Sequence, residues 1–461
     1  MRISDAELEY RQFLHDYLLP LMGLPIKDLE ELKPINEARD SSFHVQQKKD
    51  AGQGKSTLTF KINELPYFDF DTNMIVPEKI NRIARNVITS FAKVSKYDLS
   101  KKANKTNCKY LSDILRVKSY EYAVQHGICT WIKGTTSCDA IEKLLKILER
   151  WSVQTYEGRK VPFGFIVNPN EKGTFDWLEF LEDDYSATLT DCINSLIELD
   201  TDGKLIKYHS LPETFLGRDE GIGARPYRFV DVLINYVSMG RIGIFLLSNG
   251  DIILSDDTKI RFVKRNLKWL NMSYEAFESV LRDVNLSPPL TLKMINELYA
   301  SILDVSFAHT GGIISIVSDI QSLVNKNSRN SILSPSDNLA NPRDDSLVLT
   351  KKLKYQKIGD KEVKKRLLKR EAIVSLIGND NFYGLARKLR AELIAMDGAC
   401  IINPEGEIYS IGAIIRNKGG SSGGGRSAAC KQLSEFGIAI KISTDGYIEV
   451  FKGGEAVYTV K

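Results

Sequence analysis

The sequence predicts an α/β fold: a C-terminal mixed sheet flanked by helices, preceded by a helical segment and a second α+β domain. Three observations carry this. Apolar residues recur at helical spacing near both ends of the chain, short apolar runs bounded by Gly, Asn, Asp and Pro alternate with helical patterns, and 461 residues exceed what one ordinary core holds. The organisation that follows is a mainly helical segment 1–117, an α+β domain 118–288 and an α/β unit 289–461 with an inserted loop and basic helix at 325–375.

Taken in order, Leu8, Phe13, Leu14, Tyr17, Leu18 and Leu21 form the apolar stripe of a helix that ends near Pro25. Residues 36–57 are polar and read as a loop. A second helical pattern spans 77–92, and a third runs from Asp139 to Trp151 with Ile141, Leu144, Leu145, Ile147 and Leu148 on one face. Val161 to Val167 is a short buried strand. Ile242 to Leu247 and Asp251 to Leu254 flank Ser248-Asn249-Gly250 as a hairpin, because asparagine and glycine accept the turn geometry. From Pro289 a long helix leads through His309-Thr310-Gly311-Gly312 into the apolar run 313–317. Residues 325–346, dense in Ser, Asn, Asp and Pro, read as a mobile insertion. Between 351 and 370, ten Lys or Arg stand against Asp360 and Glu362, the pattern of a solvated helix face. A helix from Tyr383 to Ala395 then leads to strands 399–403 and 407–415, a helix beginning at Arg426, and strands 438–443, 447–451 and 456–460.

Composition excludes several classes. With 43% hydrophobic and 26% charged residues the chain is globular, and a net charge of +4 implies no general affinity for nucleic acid or anionic membrane. Six cysteines and five histidines are scattered without a Cys-x-x-Cys pair, so spacing encodes neither a zinc site nor a disulfide framework. No stretch has the apolar length of a membrane span, and the first residues lack the pattern of a signal peptide, so the expectation is a cytoplasmic protein. Gly52-Gln53-Gly54-Lys55-Ser56-Thr57 mimics the tail of a P-loop, but the first glycine of that motif would fall at Lys49 and no apolar strand precedes it.

Two short signatures carry chemistry. Gly423-Gly424-Gly425-Arg426-Ser427-Ala428-Ala429 places side-chain-free backbone, a planar cation and good helix formers in succession. That is the build of a phosphate cradle: glycines admit anionic oxygens to main-chain N–H groups, the helix start adds its positive end, and Arg426 adds a fork of donors. Asp397-Gly398-Ala399 opens a strand with a carboxylate beside two small residues, a candidate metal ligand or proton acceptor. Cys400 and Cys430 adjoin the two signatures with no histidine near in sequence, and read as buried apolar residues.

Across roughly 289–461 the chain resembles the diadenylate cyclase domain, which condenses two ATP into cyclic di-AMP. Met396-Asp397-Gly398-Ala399 matches that family's Asp-Gly-Ala strand, Gly424-Gly425-Arg426-Ser427-Ala428 falls on its Arg-His-Arg motif, and Leu433-Ser434-Glu435 matches the end of the following helix. The sequence departs from the family at Met396, where many members have histidine, at Ser427-Ala428, and at Ser443-Thr444, where the family closes on Ser-Glu.

The resemblance implies Asp397 and Arg426 as catalytic residues, with Asp397 also holding Mg²⁺ or Mn²⁺. Gly398, Ala399, Gly424, Gly425, Ser427, Ser443 and Thr444 would bind ATP. It further implies a homodimer with two nucleotide sites face to face, and leaves the N-terminal part as a sensor or regulator. The departures keep a second reading open, a nucleotide-binding regulatory protein without turnover.

Overall fold

A computed structural model of the chain describes residues 5–35, 45–49, 56–61, 67–72, 76–96, 109–133, 139–192, 194–211, 236–256, 259–266, 268–272, 274–319, 323, 332–333, 372–373, 375–378, 380–415 and 424–461. The fold is mixed α/β with several sheets. It divides into two compact units, Met1–Ala276 with Val460–Lys461, and Phe277–Thr459. Most of the insertion and basic helix expected at 325–375, and the first glycines of the P-loop mimic, lie outside the described residues.

In the first unit, helix α1 (Asp5–Phe13) continues through a π-helical turn, Leu14–Leu18, and Pro20 sits where a new helical turn starts and its missing N–H is harmless. Strands β1 (Lys33–Ile35), β2 (Val45–Lys49), β3 (Ser56–Phe60) and β4 (Tyr67–Thr72) form a sheet in the order β1-β4-β3-β2. The loop expected over 36–57 therefore contains a strand and the start of another, and the segment 1–117, expected as mainly helical, carries a four-stranded sheet beside its helices. The pattern was hidden because β2 is an edge strand: Val45 is buried opposite Phe60, while Gln46 and Lys48 face solvent, as edge strands that resist further pairing do.

Two long helices, α2 (Glu78–Lys96) and α3 (Lys109–Lys133), complete this layer. Phe13 stacks on Phe91 with ring centroids 4.1 Å apart and meets Tyr120 edge-on at 5.5 Å, so aromatic packing joins α1, α2 and α3. The boundary expected at 117/118 falls inside α3, whose buried Tyr120, Val124 and Ile128 continue one apolar stripe.

Helix α4 (Asp139–Val153) buries Ile141, Leu144, Leu145, Leu148 and Trp151, the i, i+3, i+4 face read from the sequence. A two-residue ladder of β5 (Thr155–Tyr156) and β6 (Arg159–Lys160) leads into an eight-stranded sheet. Its strands are β7 (Phe163–Val167), β8 (Phe175–Asp176), β9 (Ser195–Leu199), β10 (Lys204–Ser210), β11 (Ile242–Leu246), β12 (Ile252–Asp256), β13 (Lys259–Arg265) and β14 (Lys268–Asn271), in the order β14-β13-β12-β11-β7-β9-β10-β8. The hairpin read at Ser248-Asn249-Gly250 joins β11 and β12, with Gly250 at φ 91°.

In the second unit, helix α5 (Leu292–Ala308) starts at Thr291, whose hydroxyl accepts from the Met294 N–H at 3.3 Å, a cap worth about 1 kcal/mol. It ends at His309 in the left-handed region, φ 53°, followed by Gly311 at φ 70°. Six strands follow: β15 (Gly312–Val317), β16 (Ala399–Ile402), β17 (Ile408–Ala413), β18 (Gly437–Ile442), β19 (Ile448–Lys452) and β20 (Glu455–Val460). Their order is β17-β16-β15-β18-β19-β20. Central β15 runs parallel to β16 and antiparallel to β18, and every residue in it is buried, which explains its apolar sequence, with Ser315 satisfied by donating to the Ile438 carbonyl at 3.0 Å.

Helix α6 (Arg387–Ala395) precedes β16, and α7 (Gly424–Leu433) precedes β18. Beneath α7 lies a core of Ile313, Val317, Ala399, Ile401, Ala413, Cys430, Leu433, Ala439 and Phe451. Removing a large member of such a core costs about 2–5 kcal/mol. Two arginines clamp α6 to α5: Arg387 pairs bidentately with Asp304 at 2.7 and 2.9 Å, and Arg390 pairs with Glu297 while donating to Ser301 Oγ at 3.0 Å.

Candidate functional site

Sheet register assembles the site. Gly312 pairs with Ile442 across β15 and β18, Ile314 with Cys400 across β15 and β16, and Ala399 with Ala413 across β16 and β17. The beginnings of β15 and β16 and the ends of β17 and β18 consequently share one margin of the sheet. Asp397 and Gly398 enter it ahead of β16, and Ser443 and Thr444 leave it after β18. At strand spacings of about 4.8 Å these neighbours lie within the reach of a nucleotide.

Glycine makes that margin possible at two positions. Gly312 lets the last turn of α6 descend on β15, since a Cβ there would stand 2.3 Å from the Ile394 carbonyl oxygen. Gly398, at φ 99°, would put a Cβ 2.4 Å from the Gly412 carbonyl carbon. Its smallness thus serves the approach of β16 to β17, and Ala399 is fully buried in the core under α7. Asp397, directly before them, is exposed.

Arg426 reaches the same margin from α7. A Cβ at Gly311 would lie 2.9 Å from Arg426 Nη1, 3.2 Å from its Cζ and 3.2 Å from the Thr444 nitrogen, so the guanidinium rests over the Gly311 backbone beside the Thr444 amide. Among the described residues, Arg426 takes no carboxylate partner, unlike Arg387 and Arg390. A cation left facing outward beside a backbone amide is an anion-facing arrangement. Gly424 and Gly425 are exposed, and a Cβ at either would meet nothing within 4 Å. The N–H groups at the start of a helix carry its positive end.

The turn after β18 is fixed by its own hydrogen bonds. Gly446 N donates to the Ser443 carbonyl at 2.9 Å, and Tyr447 N donates to Ser443 Oγ at 3.1 Å. The Ser443 hydroxyl is therefore an acceptor within the turn. Thr444 and Asp445 are exposed.

Ser427 behaves differently from its neighbours. Its hydroxyl is buried and accepts from Lys441 Nζ at 2.8 Å, and the same ammonium donates to Glu449 Oε2 at 2.5 Å. As the fourth residue of the helix, Ser427 also uses its N–H in the first i→i−4 bond, so the expected ligand role of Ser427 is replaced by a structural one. Ala428 is likewise buried. Lys441 and Glu449 were not singled out from the sequence. The signal was present: a lysine inside the strand Ile438-Ala439-Ile440-Lys441-Ile442 sits on the side that alternation turns toward α7.

Burial pushes the Cys400 thiol up to about 12. The Cys430 thiol is raised above its ordinary range, chiefly by burial, with Lys441 opposing and Glu449 reinforcing the shift. Neither forms a nucleophilic thiolate at neutral pH, as the sequence suggested.

The chemistry of the donor set suits a hard divalent cation only in company. Among the described residues, no three His, Cys, Asp or Glu side chains group as a metal cage, and Asp397 supplies one carboxylate to the margin. Magnesium and manganese accept that arrangement, taking one or two carboxylates together with substrate phosphates and water. No helix among the described residues is long and apolar enough to cross a membrane. No protein-family model matches the chain, and no curated protein matches it.

Proposed function

We propose that the C-terminal unit binds ATP along this margin and condenses two ATP into cyclic di-AMP, with the N-terminal unit regulating it. What chiefly supports the reading is Arg426, an arginine with no carboxylate partner among the described residues, laid over Gly311 beside the Thr444 amide on the margin that Asp397 enters. Phosphate oxygens would lie against the Arg426 guanidinium and the first-turn backbone at Gly424 and Gly425, with the Ser443 hydroxyl and the Thr444 amide on the far side.

In the reaction, the 3′-hydroxyl oxygen of one ATP forms a bond to the α-phosphorus of the other, the bond to the bridging oxygen breaks, and pyrophosphate leaves. The step then repeats with the roles exchanged. Catalysis of this kind rests on alignment and charge neutralisation. Mg²⁺ or Mn²⁺, when bound at Asp397, supplies neutralisation of phosphate charge and a lower pKa for the attacking hydroxyl. In this reading Asp397 would accept the proton or hold the ion. Because each nucleotide offers both nucleophile and electrophile, two copies of the unit must meet face to face as a homodimer. The test is incubation of wild-type and Asp397→Asn protein with ATP and Mg²⁺ or Mn²⁺; absence of cyclic di-AMP and pyrophosphate from the wild type sinks the cyclase reading.

One observation favours a second reading. Ser427 and Ala428, at positions where the resembling family carries histidine and arginine, are both buried, and the Ser427 hydroxyl is held by Lys441. Arg426 is then the only motif side chain turned toward the ligand, which suits a nucleotide-binding regulator without turnover. Calorimetry that finds ATP binding without product would establish this reading over the first.

A further inference from the structure

We infer that Lys441 is a positioning residue for the nucleotide margin: by pinning the first turn of α7 to the sheet through Ser427 and Glu449, it sets the direction of Arg426, an inference that rests on the nucleotide reading above. The pin crosses three elements. Lys441 on β18 donates to Ser427 Oγ on α7 at 2.8 Å and to Glu449 Oε2 on β19 at 2.5 Å, and Lys441 and Glu449 are register partners. Their side chains are only 17% and 10% exposed, and Ser427 is buried.

Such a lysine is costly to place. It stands on the same strand face as Ala439, a member of the core beneath α7, where a charge must shed water to enter. It also sits near the start of a helix, the end whose dipole disfavours an ammonium. Glu449 neutralises the charge, but neutralisation alone requires no contact with Ser427.

The reason for that contact lies in what precedes it. Helix α7 opens with Gly424 and Gly425, weak helix formers whose exposed positions offer no side chain for packing. Arg426 is exposed. Ser427 is therefore the first side chain of the helix buried against the rest of the unit, and Arg426 is the residue next to it. Holding Ser427 fixes the backbone from which the guanidinium departs, and so keeps it over Gly311.

Two measurements on the full chain test the pin. In ligand-free protein, Lys441→Met and Ser427→Ala are each expected to speed amide exchange at Ala428, Ala429 and Cys430 about tenfold, the scale of one lost hydrogen bond to a charged group, while Lys441→Arg stays within about threefold of wild type. In ATP titrations, Lys441→Met is expected to weaken binding about tenfold in the wild-type background but less than about twofold when Arg426→Ala is already present, because it acts through Arg426. Unchanged exchange in both Lys441→Met and Ser427→Ala overturns the pin. Equal losses of affinity in the two backgrounds overturn its action through Arg426. Wild-type protein that binds no ATP overturns the nucleotide reading and with it the role in binding, while the exchange data still decide whether the pin exists.

Discussion

Gly311 lies beneath the guanidinium of Arg426, close enough that a methyl group at Gly311 would come within 2.9 Å of Nη1. The glycine also holds φ 70°, which a side chain resists. Gly311→Ala therefore strains the backbone and displaces the arginine in one change. The expected outcome is a loss of about 1–2 kcal/mol in stability by urea unfolding and a roughly tenfold weaker ATP dissociation constant. An affinity equal to wild type would show that the position of Arg426 does not matter to the ligand.

Asp397→Asn removes the one carboxylate at the entry to β16 and keeps the side chain's shape. If Asp397 holds the ion or takes the proton, cyclic di-AMP formation falls at least about a hundredfold, while ATP binding without divalent cation changes less than about threefold. Product assay and calorimetry on the same preparation measure both quantities.

Arg390→Met separates fold from site. Arg390 is 3% exposed and donates to Ser301 Oγ, Glu297 and the carbonyls of Tyr383 and Leu385. Methionine fills much of the volume but leaves Glu297 and the carbonyls unpaired, so a loss of about 3 kcal/mol is expected in denaturant unfolding. Product formed per folded molecule should be unchanged, since the clamp lies between α5 and α6 and not on the margin.

Acid stability of the N-terminal unit should show the imprint of Glu275. Burial alone would raise its carboxyl, but Arg261, a backbone hydrogen bond and Lys259 together outweigh that and hold it at about 2 against an ordinary 4.5. The unfolded chain then binds more protons than the fold between pH 4.5 and 2. The stabilisation is complete above the upper value and disappears as pH falls through the lower one. After allowance for solvent screening of a carboxylate that is 31% exposed, it amounts to about 1–2 kcal/mol. Glu275→Gln should flatten that part of the stability profile, measured by urea unfolding at stepped pH.

The C-terminal sheet was legible because its strands obey simple patterns. β15 is a short, mainly apolar run entered through Gly311-Gly312, and Asp445-Gly446 and Gly453-Gly454 mark the turns of the last three strands. The helix after the glycine loop and the exposed Asp397 and Arg426 also lie where their local sequence put them. Strand β2 was not legible, since its outward face is polar and its inward face offers little beyond Val45. The partnership of Lys441 with Ser427 could not be read either, because it depends on which face of α7 meets β18, a tertiary choice that neither local pattern contains.

The margin joins pieces of chain that are remote in order of synthesis: Gly311 and Thr444 are 133 positions apart, from 444 less 311. Arg426 cannot settle between them until β18 has paired with β15, a non-local closure of the kind that forms late and slowly. A ligand seated there would consequently recognise only molecules in which that strand has docked. It would draw the folding equilibrium of the whole C-terminal unit toward completion by mass action, so that any ligand of this margin would also proofread finished chains.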